Sequence, residues 1–358
     1  MAGMQEAIDA AATRLDAHVR EIVQWHFSES TGTPFWLARR EALGFDPLQD
    51  VRTVADLARF PLFDGEVLRT EPHESFVPRA YLGRPFTIFE TGGTTGMPKQ
   101  RIGWEDYKLD YEQFSETLSD ASFPRGGYWL MVGPTGPRRL RLAIEHLANH
   151  RGSSCYFVDL DPRWVKKLIV ARDFDHAKAY MRHVIDQAAC ILEKRHVSAL
   201  FTTPKLLEEL SERLSIPGAG IRGVFCGGTT MTPQTTRFLV EEVLEGAVDF
   251  VPTYGNTLMG LAAHKKSLRE DGYSISYYAP QPRALLRVVD FDDVNKTVDY
   301  DAWGRVELTT LTREFFMPRF LERDEALRRR PCADYPWDGV GEVRPYGAEA
   351  QKIVEGVY

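Results

Sequence analysis

Between residues 128 and 256 the sequence alternates short apolar runs with amphipathic stretches, and this alternation constrains the fold more than any other feature. Tyr128-Trp129-Leu130-Met131-Val132, Cys155-Tyr156-Phe157-Val158-Asp159-Leu160, Val197–Phe201, Arg222-Gly223-Val224-Phe225-Cys226 and Val248-Asp249-Phe250-Val251 read as buried strands. Leu140–Asn149, residues 177–195 and Pro204–Leu214 read as the intervening helices. In the second of these, Met181, Val184, Ala188, Ile191 and Leu192 share one face, the spacing of a helix lying on a sheet. Such alternation gives βαβ units around a largely parallel sheet, an α/β fold. Beyond residue 280 the chain turns strand-rich, with Leu285–Phe291 and Gly304–Thr310. Upstream, residues 4–27 are helix-prone and amphipathic, and Thr53 with Asp56 three residues on looks like a capped helix start. The pattern divides the chain into a helical segment (1–84), an α/β part (85–275) and a β-rich part (276–358).

At 358 residues and 43% hydrophobic composition, the chain can bury one large core or two moderate ones. Its 44 basic and 51 acidic residues leave a net charge of −7, which argues against a general nucleic-acid surface. Cys155, Cys190, Cys226 and Cys332 are scattered without a close pair, which argues against a zinc site and a disulfide framework and fits a reducing compartment. The N-terminus carries acids early and lacks the apolar core of a signal peptide. No apolar run approaches the ~18 residues needed to span a bilayer, so a soluble, cytoplasmic protein without a membrane partner is expected.

The stretch Thr91-Gly92-Gly93-Thr94-Thr95-Gly96-Met97-Pro98-Lys99 follows the apolar run Pro85-Phe86-Thr87-Ile88-Phe89. It joins bare backbone N–H groups, hydroxyls and one cation. Glycines permit close approach and positive φ, and successive N–H groups form an anion-binding nest, so the loop suits a polyphosphate. A Walker-type loop would place Lys directly after the last glycine and then Ser or Thr. Here Met97 and Pro98 intervene and Gln100 follows, which removes the Mg²⁺-binding hydroxyl of that motif. An ordinary Gly/Thr-rich turn is the alternative.

The loop resembles the phosphate-binding motif Ser/Thr-Gly-Thr-Thr-Gly-x-Pro-Lys of adenylate-forming enzymes, the superfamily of acyl-CoA synthetases, adenylation domains and luciferases. Three later segments resemble that superfamily in its order. Cys226-Gly227-Gly228-Thr229-Thr230 follows a strand, and the resemblance implies that its glycines lie against adenine; alone it would read as a strand-ending turn. Tyr254-Gly255-Asn256-Thr257 is similar to Tyr-Gly-x-Thr-Glu, which implies an adenine-stacking Tyr254 and an α-phosphate contact at Thr257. The acid that ends the motif, the usual Mg²⁺ ligand, is replaced by Leu258, so weak or unusual ligation is expected because a hydrocarbon cannot hold a hard cation. Gly304-Arg305-Val306-Glu307-Leu308-Thr309-Thr310-Leu311-Thr312 before Met317-Pro318-Arg319-Phe320-Leu321-Glu322-Arg323-Asp324 resembles phenylacetate–CoA ligase-type enzymes. That resemblance makes Asp324 the ribose ligand, with the spacing from Pro318 shorter than in the family; the alternative is a surface ion pair between Arg319 and Asp324. The resemblance spans about residues 34 to 345 and implies the large N-terminal-type domain of these enzymes, ATP and Mg²⁺ as cofactors, and Lys99 and Thr257 as catalytic residues.

Gly133-Pro134-Thr135-Gly136 and Arg138 lie at a strand end, where sheet ligands bind, and the related ligases line the acid's pocket with this region. Arg138, Arg139 and Arg141 could pair bidentately with a second carboxylate, or form a solvated helix face. Trp129, Tyr254 and Phe89 as surroundings favour a planar, aromatic acid. His146 and His150 are spaced for a metal pair on a helix, but the sequence offers no evident third ligand, so they read as surface or core histidines and no metal site is assigned.

Full-length relatives continue into a small mobile domain bearing a lysine; the 34 residues after Asp324 are too few for such a domain, which is expected to be absent. Losing a preorganised charge of that kind costs about 3–4 kcal/mol, or 10²–10³ in rate. A short architecture of this type resembles griseoluteate-type adenylating proteins of phenazine-antibiotic pathways. The resemblance implies activation of an aryl acid as acyl-AMP for an acceptor enzyme or reductase; a homodimer is one option, and the sequence leaves the oligomeric state open. Two other readings stand beside it: a catalytically degenerate nucleotide or acyl-binding protein, and a short acyl-protein synthetase using Cys226 or Cys332.

Overall fold

A repeated Thr/Asp-Pro signature starts several helices. Asp161, Thr203 and Thr232 each cap a helix whose first residue is proline, the position where a missing N–H costs nothing. The computed structural model describes residues 2–91, 97–136, 139–228 and 230–347. In chain order its helices are α1 (Ala2–Phe27), α2 (Pro34–Arg39), α3 (Pro47–Asp50), α4 (Val67–Thr70), α5 (Asp106–Ser115), α6 (Arg139–His150), α7 (Pro162–Val170), α8 (Phe174–Lys194), α9 (Pro204–Ser211) and α10 (Pro233–Phe238). Its strands are β1 (Thr87–Glu90), β2 (Gln100–Gly103), β3 (Tyr128–Gly133), β4 (Ser154–Asp159), β5 (Val197–Thr202), β6 (Gly223–Cys226), β7 (Asp249–Asn256), β8 (Gly260–His264), β9 (Ser276–Tyr278), β10 (Ala284–Val289), β11 (Trp303–Leu311), β12 (Phe316–Arg329) and β13 (Gly339–Pro345). They fall into two compact units, one made of 1–91, 97–106 and 276–346, the other built on 107–275.

The second unit is the α/β part. Its strands run in the order β8-β7-β6-β5-β3-β4, parallel from β7 to β4, with β8 antiparallel to β7. Parallel strands need crossovers, and the helices between them supply these. The apolar runs are continuous rather than alternating because both faces of the sheet are covered. Trp129, Met131, Phe201 and Phe225 pack with Phe114, Phe123, Ile144 and Leu147 in one core. The chain moves from β3 out to β4 and back to β5 on the other side of β3, which makes the carboxyl ends of β3 and β5 a topological switch point.

The first unit joins the N-terminal helices to the β-rich segment. Antiparallel strands β10-β11-β12-β13-β9 form its sheet, with register shifts along β11–β12. Phe27, Trp36, Phe60 and Phe316 pack together, Phe60 edge to face with both Trp36 and Phe316, and Trp36 Nε1 donates to the Phe316 carbonyl at 3.0 Å. The expected capping pair forms over a 3-10 turn (Val54–Arg59): Asp56 Oδ2 accepts from the Thr53 amide and hydroxyl at 2.9 Å. Among the described residues, no helix is long and apolar enough to cross a membrane.

Candidate functional site

The glycine- and threonine-rich loop grows from a small antiparallel hairpin. β1 and β2 pair from Thr87↔Gly103 to Glu90↔Gln100. The ladder continues one step further, because Thr91 N–H donates to the Lys99 carbonyl at 3.0 Å and Lys99 N–H donates to Thr91 Oγ1 at 3.1 Å. The loop's neck is therefore fixed by one backbone bond and one to the Thr91 hydroxyl, while Gly92, Gly93, Thr94, Thr95 and Gly96 lie outside the described residues. Downstream, Arg69 Nε donates to the Met97 carbonyl at 2.7 Å.

Lys99 leaves this neck toward β12. Its Nζ stands 4.5 Å from the centroid of the Phe320 ring, a cation–π contact. Burial lowers the pKa of the ammonium, against the opposing pull of the Glu322 carboxylate. Gly65 makes room: a methyl there would overlap Lys99 Nζ and come within 2.7 Å of Phe320 Cε2. Asp324 lies on the same strand as Phe320, half-buried and opposite Pro345 of β13. The first unit thus brings Thr91, Lys99 and the Asp324 strand together.

Arg319 does not form the alternative surface ion pair. It is 5% exposed, and its Nε donates to Glu307 Oε2 at 3.1 Å. Nη1 reaches the carbonyls of Ala58 and Phe60 at 3.0 and 3.1 Å, and Nη2 reaches Asn295 Oδ1 at 2.9 Å. Glu307 holds Arg287 as well, at 2.8 Å. The guanidinium is a fork of donors that ties the segment around residue 60 to the sheet.

In the second unit the remaining expected residues lie at the carboxyl ends of parallel strands. Gly227 and Gly228 follow β6. Gly227 is buried, and a methyl there would stand 2.8 Å from Thr253 Oγ1; Gly228 has φ +100°. Thr229 lies outside the described residues. Tyr254, Gly255 and Asn256 end β7, with Tyr254 half-buried. Gly255 has a reason within the fold: a methyl there would overlap the Gly260 carbonyl across the β7–β8 pair. Thr257 opens the turn, whose form is set by Asn256 Oδ1 accepting from the Leu258 and Met259 amides at 2.9 Å. Leu258 is 3% exposed, so an apolar side chain packs inward where the motif has an acid.

Gly133 and Pro134 are buried at the end of β3, and Gly136 is exposed. Thr135 donates through both its amide (2.8 Å) and its hydroxyl (2.7 Å) to Asp159 Oδ1, pinning the loop to the end of β4. Arg138 lies outside the described residues. Arg139 belongs to neither a solvated face nor a free carboxylate clamp: it is 5% exposed and ion-paired with Asp110. Arg141 pairs with Glu145 at 3.4 Å and lies over Phe157. Trp129 and Phe89 are 1% and 2% exposed, core residues rather than open surroundings for an acid. Cys226 is fully buried, and burial pushes its thiol far above the ordinary range, which removes it as an acyl acceptor. Cys332 is half-buried.

No protein-family model and no curated protein matches the sequence. Solved structures do. 2-Hydroxyisobutyryl-CoA ligase, in complex with 2-HIB-AMP and CoA in the thioesterification state, superposes with a TM-score of 0.66 at 17% identity, over 91% of this chain and 65% of that one. Its open conformation with the same ligands gives 0.67 at 15% identity, over 93% and 69%. Its postadenylation state with 2-HIB-AMP gives 0.63 at 16% identity, over 89% and 63%. The chain therefore spans between 63% and 69% of the length of that ligase. Strand order, helix placement and these superpositions agree that the chain has the fold of the N-terminal domain of adenylate-forming enzymes.

Proposed function

We propose that the protein uses ATP to activate a carboxylic acid as its acyl-adenylate. A carboxylate oxygen attacks the α-phosphorus, the bond to the β-phosphate bridging oxygen breaks, and pyrophosphate leaves with that electron pair. In this reading Lys99, Thr91 and the Gly92–Gly96 segment hold the leaving phosphates. Gly227, Gly228, Thr229, Tyr254, Gly255 and Asn256 border the adenine, Thr257 orients the α-phosphate and Asp324 takes the ribose hydroxyls. Gly133, Pro134, Thr135, Gly136 and Arg138 border the acid. The observation that carries the reading is Lys99 Nζ on the face of Phe320, on the strand that also bears Asp324. A partly desolvated cation is what an oligophosphate needs, since charge pairing strengthens as water is removed.

Mg²⁺ would neutralise charge on the phosphates when bound. The buried Leu258 supplies no oxygen to it, so the residue set does not fit a protein-ligated ion at that position, and no step is assigned to the ion. Support for an aromatic acid and a phenazine-type pathway comes from the sequence resemblance; Trp129 and Phe89 add nothing to it, being core residues. An acceptor enzyme or reductase would then take the acyl group.

ATP–pyrophosphate exchange against a panel of aromatic, heteroaromatic, hydroxy and fatty acids tests this. Exchange that depends on one acid and disappears in Lys99→Ala supports it. The buried Leu258 favours one second reading, a nucleotide-binding protein without chemistry. Measurable ATP binding with no exchange on any acid would decide for that reading.

A further inference from the structure

We propose that Glu112, His146 and His150 form a binding site for a zinc-like divalent transition ion, independent of the nucleotide chemistry. The two histidines lie four residues apart on α6, hence on one face of the helix. The third ligand comes from α5. Glu112 Oε1 stands 2.8 Å from His146 Nε2, and one ligand atom from each of the three residues lies within 4.8 Å of the other two. Ligand atoms about 2 Å from a common tetrahedral ion lie a little over 3 Å apart. The Glu112–His146 pair is already near that separation; His150 is exposed, and its ring would rotate to bring its nitrogen in from within 4.8 Å.

The platform under these groups is rigid. Arg139 at the start of α6 is ion-paired with Asp110 of α5, both buried. Just past the end of α6, Arg151 Nη1 donates to the Ser115 carbonyl and hydroxyl at the end of α5, at 3.1 and 3.0 Å. Between these clamps Ile144, Leu147 and Ala148 lie in the core, so α6 cannot turn without losing burial. Two buried arginine clamps thus fix the register in which Glu112 faces His146, and ligands need little reorganisation to bind. Tyr107 packs edge-on to His146, holding the ring's orientation. Two imidazoles and one carboxylate suit Zn²⁺, Co²⁺ or Ni²⁺ rather than Mg²⁺, and three protein ligands leave a coordination position for water.

The test titrates the full chain, stripped with EDTA, with Zn²⁺ by calorimetry and with Co²⁺ by visible absorption. The expected result is one ion per chain, a tetrahedral-type Co²⁺ spectrum and a thermal midpoint raised by Zn²⁺. His150→Ala, at an exposed helix end, should leave the metal-free fold unchanged and weaken binding at least about 10-fold. Glu112→Gln should keep the contact to His146 and weaken binding by a similar factor. Equal Zn²⁺ affinity in parent and both variants, or no stoichiometric binding at micromolar Zn²⁺, overturns the proposal. ATP–pyrophosphate exchange unaffected by His150→Ala would separate this site from the nucleotide reading.

Discussion

Arg319 Nε donates to Glu307 Oε2 at 3.1 Å in a part of the molecule almost closed to water. The same guanidinium accounts for two backbone carbonyls and Asn295, and the residue adopts φ 52° to do so. Removing the cation leaves Glu307 with only Arg287 among these partners and strands two carbonyls. Arg319→Ala should cost about 3–5 kcal/mol, the range for breaking a buried pair from one side. Arg319→Lys should recover little of it, because an ammonium lacks the planar fork. Urea unfolding of both variants measures this; a loss under 1 kcal/mol in Arg319→Lys would contradict it.

Lys99→Ala should lower acid-dependent exchange by about 10²–10³ or more while unfolding at the parent's urea midpoint. Gly65→Ala tests the same geometry without touching the charge. Its methyl would displace Lys99 Nζ and press on Phe320. Since a misplacement of about 1 Å can cost up to 10²-fold, turnover should fall between 10- and 100-fold with the lysine still present. Exchange kinetics on the two variants side by side decide whether the ammonium's position matters.

Gly260 has φ +103°, and a methyl there would stand 2.5 Å from Asp110 Oδ2 and 2.8 Å from Arg139 Nη1. Gly260→Ala therefore combines backbone strain with intrusion on a buried ion pair. It should destabilise by about 3 kcal/mol or more, beyond the ~1–3 kcal/mol of an unfavourable φ alone. Gly272, at φ +63° with open space around it, is the control, and Gly272→Ala should show the strain component only. Thermal unfolding of the pair separates the two contributions.

His26 supplies the pH dependence. Burial depresses its pKa to about 4, and its ring nitrogens contact Thr33 Oγ1 at 2.5 Å and the Thr312 carbonyl at 2.7 Å. The unfolded chain takes up a proton near pH 6.5 and the folded chain near 4, so stability is complete above 6.5 and is lost as pH falls through that window. A shift of this size corresponds to about 3 kcal/mol. His264, buried and likewise depressed to about 4, acts in the same direction. His26→Gln should be less stable at pH 7.5 but show a shallower loss between pH 6.5 and 4.5, read from urea midpoints across that range.

The α/β unit was legible because its signals are local. Apolar runs such as Leu130–Val132 are bounded by glycine, and Pro204 opens an apolar-periodic stretch; the helix that starts at Asp161-Pro162 is short and was not legible. Strand β12 was not legible from the sequence. Its second half, Leu321 to Arg329, is charge-rich, and it is a strand because β11 and β13 pair with it on both sides. The same limit applies to single residues. Arg139 and Trp129 look available in a linear reading, yet the fold commits one to Asp110 and the other to the core. Glu112 carries no motif, and only the packing of α5 beside α6 brings it to His146. At the glycine-rich loop only the run before it, residues 85–89, carries a strand signal; Gln100–Gly103 is polar and is a strand because it pairs with that run, which sets the neck at Thr91 and Lys99.

One unit takes its residues from both sides of the other in the chain, 1–106 before it and 276–346 after it, apart from the loop at 92–96. Synthesis on the ribosome therefore finishes the α/β unit first, although its residues are translated later than α1. The N-terminal aromatic cluster of Phe27, Trp36 and Phe60 has no Phe316 to pack against until the strand-rich segment emerges. Exposed aromatics held in waiting are a site for chaperone capture or aggregation during translation. Fast elongation through residues 107–275 would shorten that wait.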